Sequence, residues 1–199
     1  MSIDKTGLLE LIKSRRTCYL FNPKQQMPLT DQQIESCLEA AIWAPNHKLT
    51  QPWRFWVLGE QTQQDLAAVY ALLRADKRAQ AGSDNHQAIY ASALTKFNEF
   101  PRIILVGQII AQDEIVRKED YAACACAIQN LQLMAWQEGI GVQWSTGPIL
   151  QAQQTYQAIG QLPEQVELIG ALYMGHLRGD CSAQNAKRKP VSDVTEWLV

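Results

Sequence analysis

The apolar positions along this chain recur with two different periods, which predict helices alternating with strands. The opening segment "GLLELIKSRR" has its leucines and isoleucine on roughly one helical face. A second helix is predicted from Thr30, a candidate N-cap, to a limit set by Pro45. Residues 61–75 and roughly 84–99 also have helical spacing, and the polar stretch between them predicts an exposed connection.

Four segments are typical of strands because they are short, rich in aromatic or β-branched residues and bounded by turn residues. They are "WRFWVLG", "PRIILVGQII", "IGVQWSTG" and "QVELIGALYMG". The second is continuously apolar, as expected for a strand that is buried on both faces. Between the last two, "LQAQQTYQAIG" predicts a short helix ending at Gly160. The tail "NAKRKPVSDVTEWLV" is basic, then turn-like, and ends in a predicted hydrophobic anchor.

The helix predicted from Glu119 to Glu138 is apolar on nearly all sides. Only three of the sixteen residues between Tyr121 and Trp136 are polar, so protein is expected to surround this helix. Gly139 is its natural C-terminal cap. Because helices come in pairs and the most buried element is a helix, the pattern favours an α+β sandwich with a central helix over a doubly wound sheet.

Composition narrows the class of protein. The 199 residues are 47% hydrophobic, which is enough for a single domain over residues 1–199, and no linker or repeat divides them. The net charge of −2 and the absence of a basic run argue against nucleic acid and membrane surfaces as partners. Five cysteines, no C-x-x-C and no secretory signal predict free thiols and a cytoplasmic location.

Three clusters suit an anion beside a planar ring. The first is Arg15-Arg16-Thr17 at the end of the opening helix, where two guanidinium groups and a hydroxyl could hold a phosphate. The second is the loop "APNHKLTQPW", and the third is Lys187-Arg188-Lys189. Each has a simpler explanation as well: neutralisation of a helix C-terminus, a surface histidine beside core tryptophans, and a solvated loop.

The residue spacing does not support a metal site, a dinucleotide-binding loop or a catalytic triad. Cys124 and Cys126 lie two apart on a helix and point about 200° away from each other, so they cannot share a metal. Gly139-Ile140-Gly141 leads from helix to strand and lacks the third glycine of a dinucleotide-binding loop. No catalytic triad or metal site is predicted.

Taken together, four motifs resemble the FMN-dependent nitroreductase family. They are "SRRT", "EAAIWAPNHKLTQPWRFWVL", "AIQNLQLMAWQEGIGVQWSTG" and "LIGALYMG" with "RKPVSDVTEW", in that order and over nearly the whole chain. The "APNHK" and "QPW" forms are similar to those of a compact bacterial subgroup of NAD(P)H nitroreductases. The resemblance implies a three-layer sandwich with a mostly antiparallel central sheet flanked by helices and a long buried central helix. It also implies a homodimer with two FMN sites at the subunit interface.

By the same resemblance, several residues are expected to hold FMN. Arg15, Arg16 and Thr17 match the positions around the phosphate and ribityl chain, and either Arg188 or Lys189 matches a C-terminal basic position. The loop residue His47 is expected to reach a flavin from the other subunit. The remaining matched positions are Trp43 beside His47, Gln51 in the Q-P-W motif, and the turn residues Trp144, Ser145 and Thr146.

One position departs from the family pattern. Many relatives carry Lys or Arg two residues after the position of Thr17, near the flavin N1 and O2, where this chain has Tyr19. A cation there stabilises the anionic reduced flavin, and Arg16 and Lys48 are both alternatives for it in this chain.

The implied chemistry is a ping-pong cycle. NADH or NADPH gives hydride to the flavin N5, and a nitroaromatic, a quinone or another conjugated acceptor then takes the electrons. No side chain need act as a nucleophile. Two alternatives stay open: a specialised flavin enzyme with a non-nitro substrate, and a flavin-binding dimer without turnover.

Overall fold

The computed structural model describes residues 4–179 and 186–198 of the chain. Within these ranges it contains six α-helices, four strands and three short 3-10 helices. The α-helices are α1 (Lys5–Ser14), α2 (Asp31–Ile42), α3 (Glu60–Asp76), α4 (Asp84–Glu99), α5 (Glu114–Gln137) and α6 (Gln153–Ala158). The strands are β1 (Trp53–Val57), β2 (Arg102–Ile109), β3 (Ile140–Ser145) and β4 (Val166–His176). The element order agrees with the order predicted from the sequence.

The four strands form one antiparallel sheet in the order β1-β2-β4-β3. Successive residues of a strand face opposite sides of the sheet, so a strand that is covered on both faces needs apolar residues at consecutive positions. Strand β2 meets this requirement from Ile103 to Val106. Ile104 and Val106 face one core, whereas Ile103 and Leu105 face the other. All four side chains are buried. Strand β2 therefore holds the two halves of the fold together.

Helices cover both faces of the sheet. Helices α2 and α5 pack on the face that carries Ile104, together with residues such as Cys37 and Ile128. Helices α3 and α4 pack as a pair on the opposite face, where Phe97 and Phe100 contact the ring of Tyr173. The arrangement confirms the predicted α+β three-layer sandwich.

Helix α5 begins earlier than predicted. It starts at Glu114 rather than Glu119, because the carboxylate of Asp113 accepts hydrogen bonds from the N–H groups of Ile115 and Val116 and caps the helix. One face of the helix is fully buried, but Tyr121 remains 44% exposed. Burial on all sides is therefore not complete within one chain.

The caps predicted elsewhere are present. Thr30 and Gln33 form a reciprocal capping box at the start of α2. Gly139 and Gly160 have φ values of 72° and 64° after α5 and α6, where only glycine adopts the left-handed conformation without strain. By contrast, Trp197 in the predicted C-terminal anchor is 89% exposed, so this chain alone does not bury it.

The cysteines of the described residues differ in their exposure. Cys18, Cys37 and Cys124 are buried, and Cys126 is exposed. The difference between Cys124 and Cys126 fits the opposite directions predicted for their side chains. Cys181 lies outside the described residues. Burial raises the pKa of Cys37 and of Cys124 to about 12. No helix among the described residues is long and apolar enough to cross a membrane.

Candidate functional site

Three predicted site residues surround one cavity. Arg15, Arg16 and Arg188 line a cavity of about 560 Å³ between the end of α1, the middle of α5 and the C-terminal segment. Lys13 and Gln129 also line it. Helix α1 is fixed to α5 nearby, because the indole N–H of Trp136 donates to Oγ of Ser14 over 2.9 Å. Residues far apart in the sequence therefore meet here.

The charges around this cavity repel one another. Burial lowers the pKa of Arg15 below its ordinary value, and the charges of Arg16 and then Arg188 lower it further, while Cys18 acts in the opposite direction. The Nε atom of Arg15 is buried and has no hydrogen-bond partner within the described part of the chain. A buried donor and several cations favour an anionic ligand with multiple acceptor oxygens.

The neighbouring cations are held by the backbone. The guanidinium of Arg16 donates to the carbonyl oxygens of Lys13 and Arg15 over 2.6 and 2.9 Å. That of Arg188 donates to the carbonyl of Lys187 over 2.9 Å. These contacts orient the guanidinium groups of Arg16 and Arg188 at the cavity. Of the two C-terminal alternatives, it is Arg188 that lines the cavity.

The segment after the arginines lies along the free edge of β3. Thr17 pairs with Val142 in a parallel bridge, and the amide of Cys18 donates to the carbonyl of Val142 over 3.2 Å. The close approach depends on Gly141. A Cβ on this residue would lie 2.8 Å from Cβ of Cys18 and 2.6 Å from Cδ2 of Leu177. The second glycine of the G-x-G stretch therefore has a packing role.

The end of β3 presents two predicted residues on opposite faces of the sheet. The indole of Trp144 crosses Gly170, donates to the carbonyl of Ile169 over 3.2 Å and packs with the α2–α5 core. Ser145 lines a crevice on the α3–α4 side. Their side chains therefore cannot contact the same face of one ligand, and Thr146, which follows them, is exposed.

The loop that carries His47 is held against the N-terminal half of α5. Nδ1 of His47 lies 2.7 Å from Oε2 of Glu119, and Oγ1 of Thr50 donates to Oδ1 of buried Asp120 over 2.7 Å. The loop contains positive φ angles at non-glycine residues: Lys48, Leu49 and Gln51. Such conformations are costly and persist only where surrounding contacts enforce them, often at functional sites.

Within one chain, His47 does not reach the arginine cavity. It contacts Glu119, whereas the cavity is bordered by Gln129, about 15 Å farther along α5 at 1.5 Å per residue. Trp43 is 80% exposed and borders a different cavity with Met134. The loop and the arginines therefore lie at separate places on one chain.

The other predicted residues have different surroundings. The backbone N–H of Gln51 donates to Oδ1 of Asn46 over 3.0 Å and so stabilises the loop. The side chain of Gln51 is exposed. Lys189 is exposed beside Arg188. Sequence reasoning missed Lys13 and Gln129 at the cavity and Asp120 under the loop. A carboxylate in so apolar a helix was the available signal for Asp120.

Comparisons with known proteins agree on one family. The Nitroreductase family profile matches residues 12–176. "Putative NAD(P)H nitroreductase YfhC" from Bacillus subtilis is 32% identical over 187 residues, which cover 94% of this chain and 91% of that protein. A nitroreductase-like family protein from Bacillus cereus superposes with a TM-score of 0.78 at 26% identity, over 100% of this chain and 99% of the other.

A further solved structure shares the fold. It is described as "a putative nitroreductase in complex with FMN" from Desulfovibrio desulfuricans, with a TM-score of 0.69 at 23% identity, over 100% of this chain and 99% of the other.

Proposed function

The chain belongs to the nitroreductase family, and from this premise we propose that it is a cytoplasmic, homodimeric, FMN-dependent oxidoreductase. NADH or NADPH is the hydride donor, and nitroaromatics, quinones or related conjugated compounds are the acceptors. Two findings support the cofactors: the similarity to proteins named as NAD(P)H nitroreductases, and the likeness in fold to a structure that contains FMN.

The convergence of Arg15, Arg16 and Arg188 on one cavity is the observation that carries this proposal. A phosphate monoester has a charge between about −1.5 and −2 at neutral pH and three acceptor oxygens. Guanidinium groups match this geometry and stay charged even when burial lowers their pKa. The phosphate of FMN therefore fits the cavity in both charge and hydrogen-bonding capacity.

Bound FMN would supply the hydride chemistry, and the residues of the chain would bind and orient it. Arg15 and Arg16 would hold the phosphate at the end of α1, with Arg188 closing over it. Thr17, placed beside Val142 at the free edge of β3, would direct the rest of the cofactor along that edge.

The exposed apolar surface supports a homodimer. The three α1 side chains Leu8, Leu9 and Ile12 are exposed, as are Trp43 and Tyr121. Monomeric proteins rarely leave so many large apolar groups in water, and a second copy of the chain would cover them. In this dimer we place the loop of His47 and Gln51 from one subunit at the FMN of the other, since within one chain the loop is distant from the arginines.

Anaerobic mixing of the purified protein with NADPH or NADH tests the function. We expect bound flavin, identified as FMN after release by heat, and loss of its visible absorption when either nicotinamide is added. An acceptor panel containing a nitroaromatic and a quinone should then restore the absorption. Bound FMN that neither nicotinamide bleaches would favour a binding protein without turnover, and a protein that binds no FMN would contradict the proposal.

A further inference from the structure

A second group of cations lies on the α3–α4 side of β3. Arg74, Lys77 and Arg78, at and just beyond the C-terminal end of α3, line a crevice of about 260 Å³. The opposite wall is formed by Gln143 and Ser145, whose side chains alternation along β3 directs to the same face. Among the described residues, this crevice and the arginine cavity have no lining residue in common. The crevice is therefore a separate place for a ligand.

The three cations of the crevice are not neutralised by carboxylates of the described ranges, since none lies within 4.0 Å of them. Asp76, on the same helix, is paired instead with His86 of α4 at 2.8 Å. The helix dipole explains basic residues in the last turn of α3, but it does not explain why they face a crevice. Like charges gathered at one wall favour a ligand with an acidic group.

The side chain of Arg74 is held in place by the protein itself. Its Nη1 donates to the hydroxyl of Tyr70 over 3.2 Å, and its guanidinium carbon lies 5.9 Å from the centroid of that ring. The Tyr70 ring packs in turn on Phe97 and Tyr173, at centroid distances of 4.7 and 6.4 Å. A guanidinium restricted in this way loses little freedom when it binds a carboxylate.

The remaining lining of the crevice suits a single aromatic ring. Tyr70, Leu73, Pro148 and Ile149 provide apolar surface, and Gly147 has no side chain to occupy the space. Drug-sized ligands occupy pockets of roughly 300–1,000 Å³. A crevice of about 260 Å³ therefore has room for one ring with its substituents but not for a whole dinucleotide.

The crevice also contains an acceptor in need of a donor. Oε1 of Gln143 is buried and has no hydrogen-bond partner within the described ranges. Because an unpaired buried carbonyl oxygen is costly, a ligand O–H or N–H directed at it is stabilising. The site thus combines positive charge, apolar surface and one acceptor.

We propose that the crevice binds the electron acceptor, and that this acceptor is a single-ring aromatic carboxylate with a hydroxyl or amino substituent. Arg74 binds the carboxylate with Lys77 and Arg78 nearby, Tyr70 and Leu73 contact the ring, and Gln143 accepts from the O–H or N–H. The inference rests on the proposed function, because it names the acceptor of that reaction. For a nitro compound, one NAD(P)H and one proton convert the nitro group to nitroso and release one water, so the carboxylate is not consumed.

Two matched acceptors test the carboxylate. For the native holoprotein, 3-hydroxy-4-nitrobenzoate should have a KM at least about tenfold below that of 3-hydroxy-4-nitrobenzamide, which is similar in shape but neutral. Arg74→Gln should raise the KM of the benzoate about tenfold and leave those of the benzamide and NADPH nearly unchanged. Lys77→Gln should act in the same direction, and Arg74→Lys should restore part of the loss. Lys5→Gln, a charge change on the exposed first turn of α1, is the matched control.

A third compound tests the contact with Gln143. Calorimetric titration of the native holoprotein should show 3-hydroxy-4-nitrobenzoate binding about fivefold more tightly than 4-nitrobenzoate, which lacks the hydroxyl. Gln143→Leu should remove this difference and keep the preference for benzoate over benzamide. Circular dichroism melting would establish that each variant folds.

The outcomes are distinguishable. If the native protein reduces benzoate and benzamide with equal KM, the inference is wrong and the proposed function stands. If Arg74→Gln raises the KM of NADPH instead of that of the benzoate, the crevice binds the phosphate of the donor and the inference is wrong. If Gln143→Leu keeps the preference for the hydroxyl compound, the Gln143 contact is wrong. If the native protein binds the benzoate selectively but reduces no acceptor with NADPH or NADH, the proposed function is wrong, and with it the role of the ligand as acceptor.

Discussion

The two groups of cations beside β3 differ in their chemistry. The group at the arginine cavity consists of Arg15, Arg16 and Arg188, and two of these donate to backbone carbonyls that fix their orientation. The other group consists of Arg74, Lys77 and Arg78, which line the crevice that Ser145 borders, and it faces the side chain of Gln143. Guanidinium forks suit a localised dianion such as phosphate, whereas a lysine beside an amide suits a ring edge with both acceptors and a donor. The difference teaches that excess positive charge alone does not identify a ligand.

The largest effect is expected at the arginine cavity. In Arg15→Ala with Arg188→Ala, two charge-assisted hydrogen bonds to phosphate are lost, so FMN affinity should fall about 10²- to 10⁴-fold. The purified variant should lose its yellow colour on gel filtration while keeping the elution volume of the native protein. Lys5→Ala is the control, and full retention of FMN by the double variant would reject the phosphate assignment.

A second test acts on the contact between the arginine segment and β3. In Gly141→Ala the new methyl group would collide with Cys18 and Leu177, which should destabilise the protein by about 1–3 kcal/mol. FMN binding should weaken because Thr17 is displaced from the strand edge. Gly59→Ala is the control, since no atom lies within 4 Å of the added group. Equal melting temperatures for the two variants would show that Cys18 and Leu177 move aside for the added methyl group at no cost in stability.

The third test contrasts the two groups directly. Arg74→Gln should keep close to one FMN per chain through gel filtration, because Arg74 lines the crevice and not the arginine cavity. Measurement of released flavin against protein concentration gives the stoichiometry. Loss of oxidised FMN as complete as in the arginine double variant would remove the distinction between the two groups.

The smallest effect is expected at the loop. His47 and Glu119 form an exposed pair, so Glu119→Gln should change the free energy of unfolding by no more than about 0.5 kcal/mol. Urea unfolding measures it. Asp120→Asn is the informative partner, because Asp120 is buried and accepts from Thr50, and a larger loss is expected there. Equal losses would mean that burial does not decide the strength of these contacts.

Sequence reasoning predicted the layers well because the apolar periods are strong. Strand β2 is apolar at the four successive buried positions from Ile103 to Val106, and Thr30 has its capping partner three residues later. It placed the start of α5 too late because the first turns of that helix are polar and are defined by the cap Asp113. The pattern of hydrophobic positions does not reveal where a helix with polar first turns begins.

The same limit applies to the site. The adjacent pair Arg15 and Arg16 is visible as a motif, and its meeting with Arg188 was expected from the resemblance. Arg74 and Gln143 lie on two different elements, and their proximity depends on how α3 packs against the sheet. No spacing in the sequence encodes that proximity. The predicted approach of His47 to FMN concerns a second subunit and stays a prediction.

The most direct test of the central claim compares FMN with riboflavin, which lacks the phosphate. Titration of native apoprotein should show FMN binding at least about 100-fold more tightly than riboflavin, because only FMN engages the arginine cavity. Equal affinity for the two flavins would show that Arg15, Arg16 and Arg188 do not bind the phosphate, and it would contradict the account.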